Sequence, residues 1–331
     1  MVSDVDFPLL PQVATAETAD VYFLRSREVL RRLDLDPFVG MQVFCRLGGV
    51  FCGGGQVRQL FEETSFGGEL WMLAEGETVQ PGEAAVEILA LYGSFGRFET
   101  ALLGILASCT AWATAARAAV EAAGETPVVS FGARHVHPNV AAIMDYAAVV
   151  GGCLTCSTPL GAALARKKPA GTMPHAYVLI VGDTVRAAEA FDAVMPHDIP
   201  RIILVDTFQD ETVESLRVAG ALGPRLEGVR LDTPSERGGV TPALVTELRA
   251  RLDEAGFGSV LITVSGGMTP ERITAFRDYG APVDSFGVGS YISGACPIDF
   301  TADIREIEGA AIAKRGRLPG MTRNPRLRRV L

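Results

Sequence analysis

The chain has 331 residues, of which 48% are hydrophobic and 21% are charged, and its formal net charge is −9. This length suits two domains at roughly 100–200 residues each, and the acidic balance argues against general nucleic-acid binding, which needs a broad basic surface. The first residues are acidic, unlike a signal peptide, and no uninterrupted apolar run reaches about 18 residues. We therefore expect a cytoplasmic protein with no membrane span.

Residues 1–125 are predicted to form a smaller N-terminal α+β domain. Thr18-Ala-Asp-Val-Tyr22 precedes a charged helical pattern, and Thr18 or Asp20 suits the cap of that helix. Taken alone, Tyr22 fits a core position. Short β-rich runs at about 37–91 predict a small hammerhead-like sheet, and the alanine-rich residues 96–123 predict helices that link it to the rest of the chain.

Gly53-Gly-Gly55 has the composition of a phosphate-binding loop. No Gly-Lys-Ser/Thr follows it, and no clear helical pattern begins there. A turn is therefore the prediction for this cluster.

The six cysteines do not have the spacing of a small secreted disulfide scaffold. Cys153-Leu-Thr-Cys156 is a lone CxxC, and a zinc site would need a second pair of ligands at suitable spacing. A redox role and a role as buried, packed thiols both remain open for this pair, and packing is the favoured interpretation.

From about residue 126 to residue 300 the pattern becomes strand, loop, helix, repeated. Five clear units and two weaker ones, near 149–154 and 168–172, predict a TIM-like βα barrel of six to eight strands, complete or incomplete. A doubly wound open sheet is the alternative. Residues 301–331 are expected to return to the N-terminal domain.

Polar residues follow the predicted strands, where the active sites of such barrels lie. They are Arg134, Asp206, Asp232, Ser265 and Ser290. Two of the loops are rich in glycine, Ser265-Gly266-Gly267 and Gly287-Val-Gly289-Ser290, so that backbone N–H groups can approach a phosphate. The sequence therefore predicts a phosphate site at the carboxyl edge of the barrel.

Two acids and two arginines carry further candidate roles. Asp206 and Asp232 suit ribose hydroxyls or Mg²⁺, which takes few carboxylates and keeps its waters. Arg134 and Arg230 suit bidentate binding of a carboxylate or a phosphate. Since Arg230 and Asp232 lie two apart on a strand, they share a face, and a simple ion pair between them is the alternative.

His175 ends the stretch Gly171-Thr172-Met-Pro-His175, which reads as the entry to a helix. The positive end of a helix favours the neutral imidazole, and a neutral imidazole is a nucleophile. From the residues alone, a solvent-exposed or capping histidine is an equal alternative.

The ordered set of motifs resembles the nicotinate phosphoribosyltransferase family, within the quinolinate and nicotinamide phosphoribosyltransferase superfamily. The matching segments are Thr18-Ala-Asp-Val-Tyr22, Phe131-Gly-Ala-Arg134, Gly171-Thr-Met-Pro-His175, Val229-Arg-Leu-Asp232, Val264-Ser-Gly-Gly-Met-Thr-Pro270 and Phe286-Gly-Val-Gly-Ser290. The Gly-Thr-x-x-His element is typical of the nicotinate and nicotinamide branches rather than the quinolinate branch.

The resemblance implies transfer of phosphoribosyl from phosphoribosyl pyrophosphate to nicotinic acid, with ATP phosphorylating His175 and Mg²⁺ assisting. It implies that Tyr22 stacks on the pyridine ring, that Thr172 and Arg230, with Arg134, hold nicotinate, and that Ser290 binds the ribose phosphate. It also implies a homodimer or higher homo-oligomer with the active site at the interface.

The sequence departs from the family pattern in two places. Asp232-Thr-Pro-Ser235 stands where many relatives have Asp-Ser-Gly-Asp, and Arg134-His135 stands where an Arg-Arg pair is common. Nicotinamide or quinolinate as substrate therefore remains open, as does a non-catalytic phosphate-binding homologue. The arginine-rich residues 314–329 are expected to be solvated or to contact another subunit.

Overall fold

The computed structural model of the chain describes residues 6–331. Residues 1–5 lie outside this range, and the prediction that the chain does not start with a signal peptide rests partly on them. The described residues form two six-stranded sheets and one two-stranded sheet. The strands are β1 (Phe38–Cys45), β2 (Gly49–Val50), β3 (Gly68–Met72), β4 (Thr78–Val79), β5 (Ala84–Leu91), β6 (Val128–Ser130), β7 (Thr155–Cys156), β8 (Ile202–Leu204), β9 (Gly228–Leu231), β10 (Leu261–Val264), β11 (Ser285–Val288), β12 (Phe300–Ile307), β13 (Ala310–Ala311) and β14 (Arg328–Arg329).

The α-helices of the same range connect these strands and cover the sheets. In chain order they are α1 (Pro11–Ala14), α2 (Val21–Arg32), α3 (Gly54–Glu62), α4 (Tyr92–Phe95), α5 (Glu99–Ala123), α6 (Pro138–Val150), α7 (Pro159–Leu164), α8 (His175–Val181), α9 (Thr184–Val194), α10 (Glu211–Leu222), α11 (Pro242–Glu254), α12 (Pro270–Tyr279) and α13 (Ser290–Ser293).

The N-terminal sheet has the strand order β13-β12-β1-β5-β3-β14, so its central strands come from the start of the chain and three of its strands from the end. Strand β1 runs antiparallel to both β5 and β12, with Met41 opposite Ile88 on one side and Ile304 on the other. Because side chains alternate along a strand, Met41 and Val43 face the apolar core of this unit, and Gln42 lies on the opposite face.

The C-terminal strap, residues 312–331, covers that opposite face. Gln42 is fully buried beneath it. The Gln42 amide donates to the Thr322 carbonyl at 2.8 Å and accepts from the Thr322 N–H at 3.0 Å. It also donates to Glu87 at 3.1 Å. Hydrogen bonds to a polar sheet face therefore hold the strap, and its residues Leu327, Val330 and Leu331 also pack against the N-terminal core.

The arginine-rich residues of the strap bind acidic side chains of their own chain. Buried Asp303 of β12 pairs with Lys314 at 2.6 Å and with Arg317 at 3.0 Å. The remaining pairs are Arg326–Glu83, Arg326–Glu77, Arg328–Glu77 and Arg329–Glu69. These contacts fasten the tail to the N-terminal sheet, while its paired arginine side chains stay at least 39% exposed.

Helix α5 connects the two units. Its residues Leu102 and Leu106 belong to the N-terminal core, and Ala116, Ala119 and Ala123 belong to the core of the parallel sheet. By length and composition alone, the helical segment Tyr92–Ala123 would be able to cross a membrane, but half of its most apolar window is buried inside the protein. That burial is typical of a core helix.

The second sheet is fully parallel, with the order β7-β6-β11-β10-β9-β8. Its two edge strands, β7 and β8, do not pair with each other, so the sheet is a six-stranded half-barrel and not a closed barrel. The predicted weak units near 149–154 and 168–172 are wrong in position. Residues 149–154 end α6 and turn, the strand follows at Thr155–Cys156, and residues 168–172 form no strand.

The prediction of a simple turn at Gly53-Gly-Gly55 is wrong, because helix α3 begins at Gly54. Gly53 has a φ of 105°, which glycine adopts without strain. Two N–H groups of this helix start are already occupied: the carboxylate of Glu75 accepts from Gly53 at 3.2 Å and from Gly55 at 2.9 Å. This glycine cluster therefore binds an internal anion.

Cys153 and Cys156 are both buried free thiols. Burial raises the pKa of each thiol to about 12. A thiol with a raised pKa is a poor nucleophile at neutral pH, which supports the interpretation of the pair as packed core residues.

We predict that Gln42→Ala lowers the free energy of unfolding by about 1–3 kcal/mol, because it removes the hydrogen bonds that the fully buried Gln42 amide makes to Thr322 and Glu87. Urea denaturation followed by tryptophan fluorescence measures this, since Trp71 lies in β3 opposite Arg329 of the strap. Gln12→Ala, at an exposed glutamine, is the control and should change stability little. Equal effects of both variants would contradict the proposed contribution of the strap.

Candidate active site

A cleft of about 630 Å³ lies at the carboxyl ends of β6, β9, β10 and β11. Because these strands are parallel and adjacent, the loops that follow them meet at one edge of the sheet. Most of the residues predicted from the sequence line it together: Arg134, Thr172, His175, Arg230, Asp232, Ser265, Gly266, Gly267, Gly287, Gly289 and Ser290. Asp206 and Tyr22 are the two that do not.

His175 is the first residue of α8 and follows Pro174, as the sequence predicts. Its Nε2 lies 3.2 Å from Oδ1 of Asp206. The side chain of His175 is 39% exposed and faces the cleft, whereas that of Asp206 is 1% exposed. The structure therefore places Asp206 behind the histidine rather than on the cleft surface, where it orients the imidazole ring.

The environment of Asp206 has opposing effects on its ionisation. Burial raises the pKa of this carboxyl, and the neighbouring His175 acts in the opposite direction. Its second oxygen, Oδ2, is buried with no hydrogen-bond partner in the described part of the chain. Because a carboxylate only accepts hydrogen bonds, an ionised Asp206 requires Nε2 of His175 to carry the proton, which leaves Nδ1 with its lone pair.

Arg230 and Asp232 form the floor of the cleft on β9 and the loop after it. Nη2 of Arg230 lies 3.6 Å from Oδ2 of Asp232, and the guanidinium lies 5.8 Å from the centre of the Phe131 ring. Burial lowers the pKa of Arg230. Its Nε has no hydrogen-bond partner among residues 6–331, and its Nη2 makes only the long contact with Asp232, so the guanidinium keeps hydrogen-bonding capacity for a ligand.

Asp232 is held from the other side by Ser265, whose hydroxyl donates to Oδ1 at 2.9 Å. Gly266 and Gly267 follow with φ values of 87° and 62°, in the left-handed region that favours glycine. Among residues 6–331 no protein acceptor receives the N–H of Gly266 or Gly267, and the same holds for Gly289. These N–H groups are therefore available to an anion in the cleft.

Gly287 in β11 provides the space for the ring of Phe131. A Cβ at Gly287 would lie 2.4 Å from that ring, which no side chain can accommodate without movement. Phe131 in turn packs beneath Arg230. This glycine therefore sets the depth of the cleft by packing.

Tyr22 lies on α2 in the N-terminal unit and is not among the residues of the cleft. Its side chain is 57% exposed, and its hydroxyl donates to Asp20 at 3.3 Å. Thr100 donates to the same carboxylate at 2.9 Å. Within one chain, the structure does not bring Tyr22 to His175.

Sequence reasoning assigned no role in the site to three residues at or beside the cleft. His135 and Ser157 line it directly. Asp145, fully buried on α6, accepts from Ser130 at 2.8 Å and from the N–H of Thr158 at 2.9 Å, and so fixes the loops after β6 and β7. The available signal for Asp145 was a single acid within an otherwise apolar helix.

The described residues contain no cluster of three or more His, Cys, Asp or Glu side chains suited to hold a metal ion. Asp232, at 24% side-chain exposure, is the carboxylate that faces the cleft. A metal here would therefore take most of its ligands from a substrate and from water, which is the usual coordination of Mg²⁺ beside phosphates.

We predict that Gly287→Ala displaces the Phe131 ring and costs about 1–3 kcal/mol of stability through overpacking. Thermal unfolding measures this change. Gly104→Ala is the matched control, because nothing lies within 4 Å of a Cβ at that helical position, and it should be neutral or stabilising by up to about 1 kcal/mol. A Gly287→Ala protein as stable as Gly104→Ala would contradict the packing role.

Comparison with known proteins agrees with this architecture. The family model "Quinolinate phosphoribosyl transferase, C-terminal domain" matches residues 112–303, and the model for the N-terminal domain of the same family matches residues 20–110. A nicotinate phosphoribosyltransferase of Mycobacterium tuberculosis is 32% identical over 281 residues, which cover 82% of this chain and 60% of that protein. The chain thus spans well under two thirds of the length of that relative.

Solved structures give the same result. The crystal structure of a nicotinate-nucleotide pyrophosphorylase from Pyrococcus furiosus is 42% identical, with a TM-score of 0.87, and the match covers 95% of this chain and 81% of that one. Human nicotinic acid phosphoribosyltransferase shares the fold at 18% identity and a TM-score of 0.75, over 91% of this chain and 77% of that one. The chain belongs to the quinolinate phosphoribosyl transferase family.

Proposed function

We propose that the chain is a nicotinate phosphoribosyltransferase of NAD biosynthesis. It transfers the phosphoribosyl group of phosphoribosyl pyrophosphate to nicotinic acid, giving nicotinate mononucleotide and pyrophosphate, and couples this to ATP hydrolysis through a phosphohistidine at His175. The observation that carries the proposal is the buried Asp206 holding Nε2 of His175 at 3.2 Å, beside two glycine loops with free N–H groups. The name of the mycobacterial relative supports the choice of substrate.

In this proposal the nucleophile is Nδ1 of His175, because Nε2 is the nitrogen that lies 3.2 Å from Asp206. The lone pair of Nδ1 attacks the γ-phosphorus of ATP, the bond to the β,γ-bridging oxygen breaks, and ADP leaves. The ring becomes cationic, and the buried Asp206 carboxylate stabilises that charge through the Nε2 proton. Water then hydrolyses the N–P bond and releases phosphate.

Nicotinate binds at Arg230 and Thr172. The guanidinium of Arg230 lies over Phe131 at the floor of the cleft, and its Nε has no partner in the part of the chain that the structure describes. Thr172 lines the wall next to His175. Arg134 is exposed at the mouth, with no side-chain partner among residues 6–331, and provides a second cation for the carboxylate or a phosphate.

The transfer step needs alignment rather than a strong base, since the pyridine nitrogen is already a nucleophile. It attacks the anomeric carbon as the bond to pyrophosphate breaks, with cationic character on the ribose. Gly266, Gly267, Gly289 and Ser290 position the phosphates. Mg²⁺, held by Asp232 and phosphate oxygens, would offset the charge of the leaving pyrophosphate.

Tyr22 requires a second copy of the chain to reach a cleft. Helix α2 has no buried residue and leaves Val21, Tyr22 and Val29 more than half exposed. Such an apolar surface is typical of an interface. We therefore propose a homodimer in which Tyr22 of one protomer stacks on the pyridine ring in the cleft of its partner.

The rival activity is transfer to quinolinate, which carries a second carboxylate. The guanidinium of Arg134, which has no side-chain partner among residues 6–331, favours this rival, because it would pair with the additional charge. Asp206 and His175 favour the nicotinate activity, because a reaction with no ATP step has no use for a histidine oriented in this way.

We predict that γ-labelled ATP places an acid-labile label on the wild-type protein and none on His175→Ala. Asp206→Asn should label at least about tenfold more slowly, because the carboxylate no longer stabilises the ring cation. Phosphate release and transfer should be measured on the same samples.

His197→Gln is the matched control, since His197 is exposed and lies outside the cleft. Full transfer activity in a wild-type protein that takes up no label would remove the ATP coupling from the proposal and leave the transferase activity in place.

We predict that nicotinate is preferred over nicotinamide and quinolinate when each is assayed with phosphoribosyl pyrophosphate. Arg230→Ala should raise the KM for nicotinate by about tenfold or more, through loss of a charge-assisted hydrogen bond. Arg251→Ala, on the surface of α11, is the control. A preference for quinolinate would select the rival activity.

A further inference from the structure

His135 lines the cleft at the end formed by Gly289 and Ser290. It closes a short helical turn, Ala133–His135, directly after β6. Its Cε1 lies 3.2 Å from the position that a Cβ on Gly289 would take. The imidazole therefore lies against the backbone of Gly289, next to Ser290, where the N–H of Gly289 is free to bind an anion.

The ring of His135 makes no side-chain hydrogen bond within residues 6–331. The backbone N–H of His135 donates to the carbonyl of Gly132 at 3.0 Å. In contrast, the ring of His137, two residues later, accepts from the N–H of Asn139 and caps α6. The ring nitrogens of His135 are therefore available to a ligand in the cleft.

Several charged or titratable groups share the cleft with His135. Arg134 precedes it on the same turn, Arg230 and Asp232 come from β9 and its loop, and His175 comes from α8. Asp232 is already engaged by Ser265 and Arg230. Besides Arg134, Arg230 and His175, the cleft thus has His135 as a group that can offer positive charge, and His135 is the one that lies against Gly289.

We propose that His135 binds a phosphate group of phosphoribosyl pyrophosphate and makes the affinity for that substrate depend on pH. This inference rests on the proposed function and deepens it. An arginine at this position would bind phosphate at every pH that the enzyme meets, whereas a histidine changes its charge near neutral pH. In its charged form both ring nitrogens donate; in its neutral form one donates, without the charge.

The test compares the KM for phosphoribosyl pyrophosphate in the wild type, His135→Arg and His135→Gln from about pH 5.5 to 8.5. The substrate phosphates also titrate in this range, with a second ionisation at about pH 6. The readout is therefore the ratio of KM values between two proteins at the same pH, in which this common effect cancels. The ratio of wild type to His135→Arg should lie near one at low pH and rise to about tenfold at high pH.

The ratio of His135→Gln to wild type should behave in the opposite way, about tenfold at low pH and near one at high pH, because glutamine resembles the neutral histidine as an uncharged donor. His197→Gln is the matched control and should follow the wild type throughout. Binding of phosphoribosyl pyrophosphate alone, measured by calorimetry, should show the same ratios and does not involve His175 chemistry.

Ratios that stay constant with pH in both His135 variants, in proteins that bind phosphoribosyl pyrophosphate, would overturn the assignment to His135 and leave the proposed function intact. A wild-type protein that neither turns over nor binds phosphoribosyl pyrophosphate would instead reject the proposed function.

Discussion

The parallel pairing of β6, β11, β10 and β9 is the constraint on which the candidate site depends. Parallel strands end at the same edge, so four loops that are far apart in sequence meet in one cleft. Helix α8 then places His175 at this edge, and the loop after β8 places Asp206 behind it. Loss of register in any of these strands would separate His175 from the glycine loops that follow β10 and β11.

A glycine loop remains open to a ligand only where no carboxylate of the protein is folded against its N–H groups. Gly53 and Gly55 form a helix start whose N–H groups are occupied by the carboxylate of Glu75. Gly266, Gly267 and Gly289 have equivalent N–H groups that face the cleft and are not used within the described chain. Both kinds of loop have similar composition, and the difference lies in whether a carboxylate of the protein is folded against them. The same contrast separates the strap arginines, which pair with Glu69, Glu77 and Glu83, from Arg134, which has no side-chain partner within the described range.

Much of the fold and of the candidate site was predictable, because both have local signatures. Alternation of apolar strands with helices predicts a parallel sheet, and polar residues directly after strands predict the edge at which Arg230, Asp232 and Ser265 meet. The exact number of strands in the parallel sheet, within the predicted six to eight, was not predictable. Strands as short as Thr155–Cys156 have no periodicity to detect, and closure depends on packing between elements that are distant in sequence. Helix α3 was missed for a related reason, since its start is stabilised by Glu75, twenty residues away from Gly55.

By itself, the sequence determined the fold class, the family and most of the residues at the cleft, because these follow from periodicity and from motif order. Tertiary structure alone decided that Asp206 is buried behind His175 rather than exposed to substrate, that Tyr22 stands apart from the cleft of its own chain, and that the ring of His135 lies on Gly289. The physical reason is common to all three. Burial, partner choice and orientation of a side chain depend on groups brought together by long-range packing, and spacing along the chain carries no record of them.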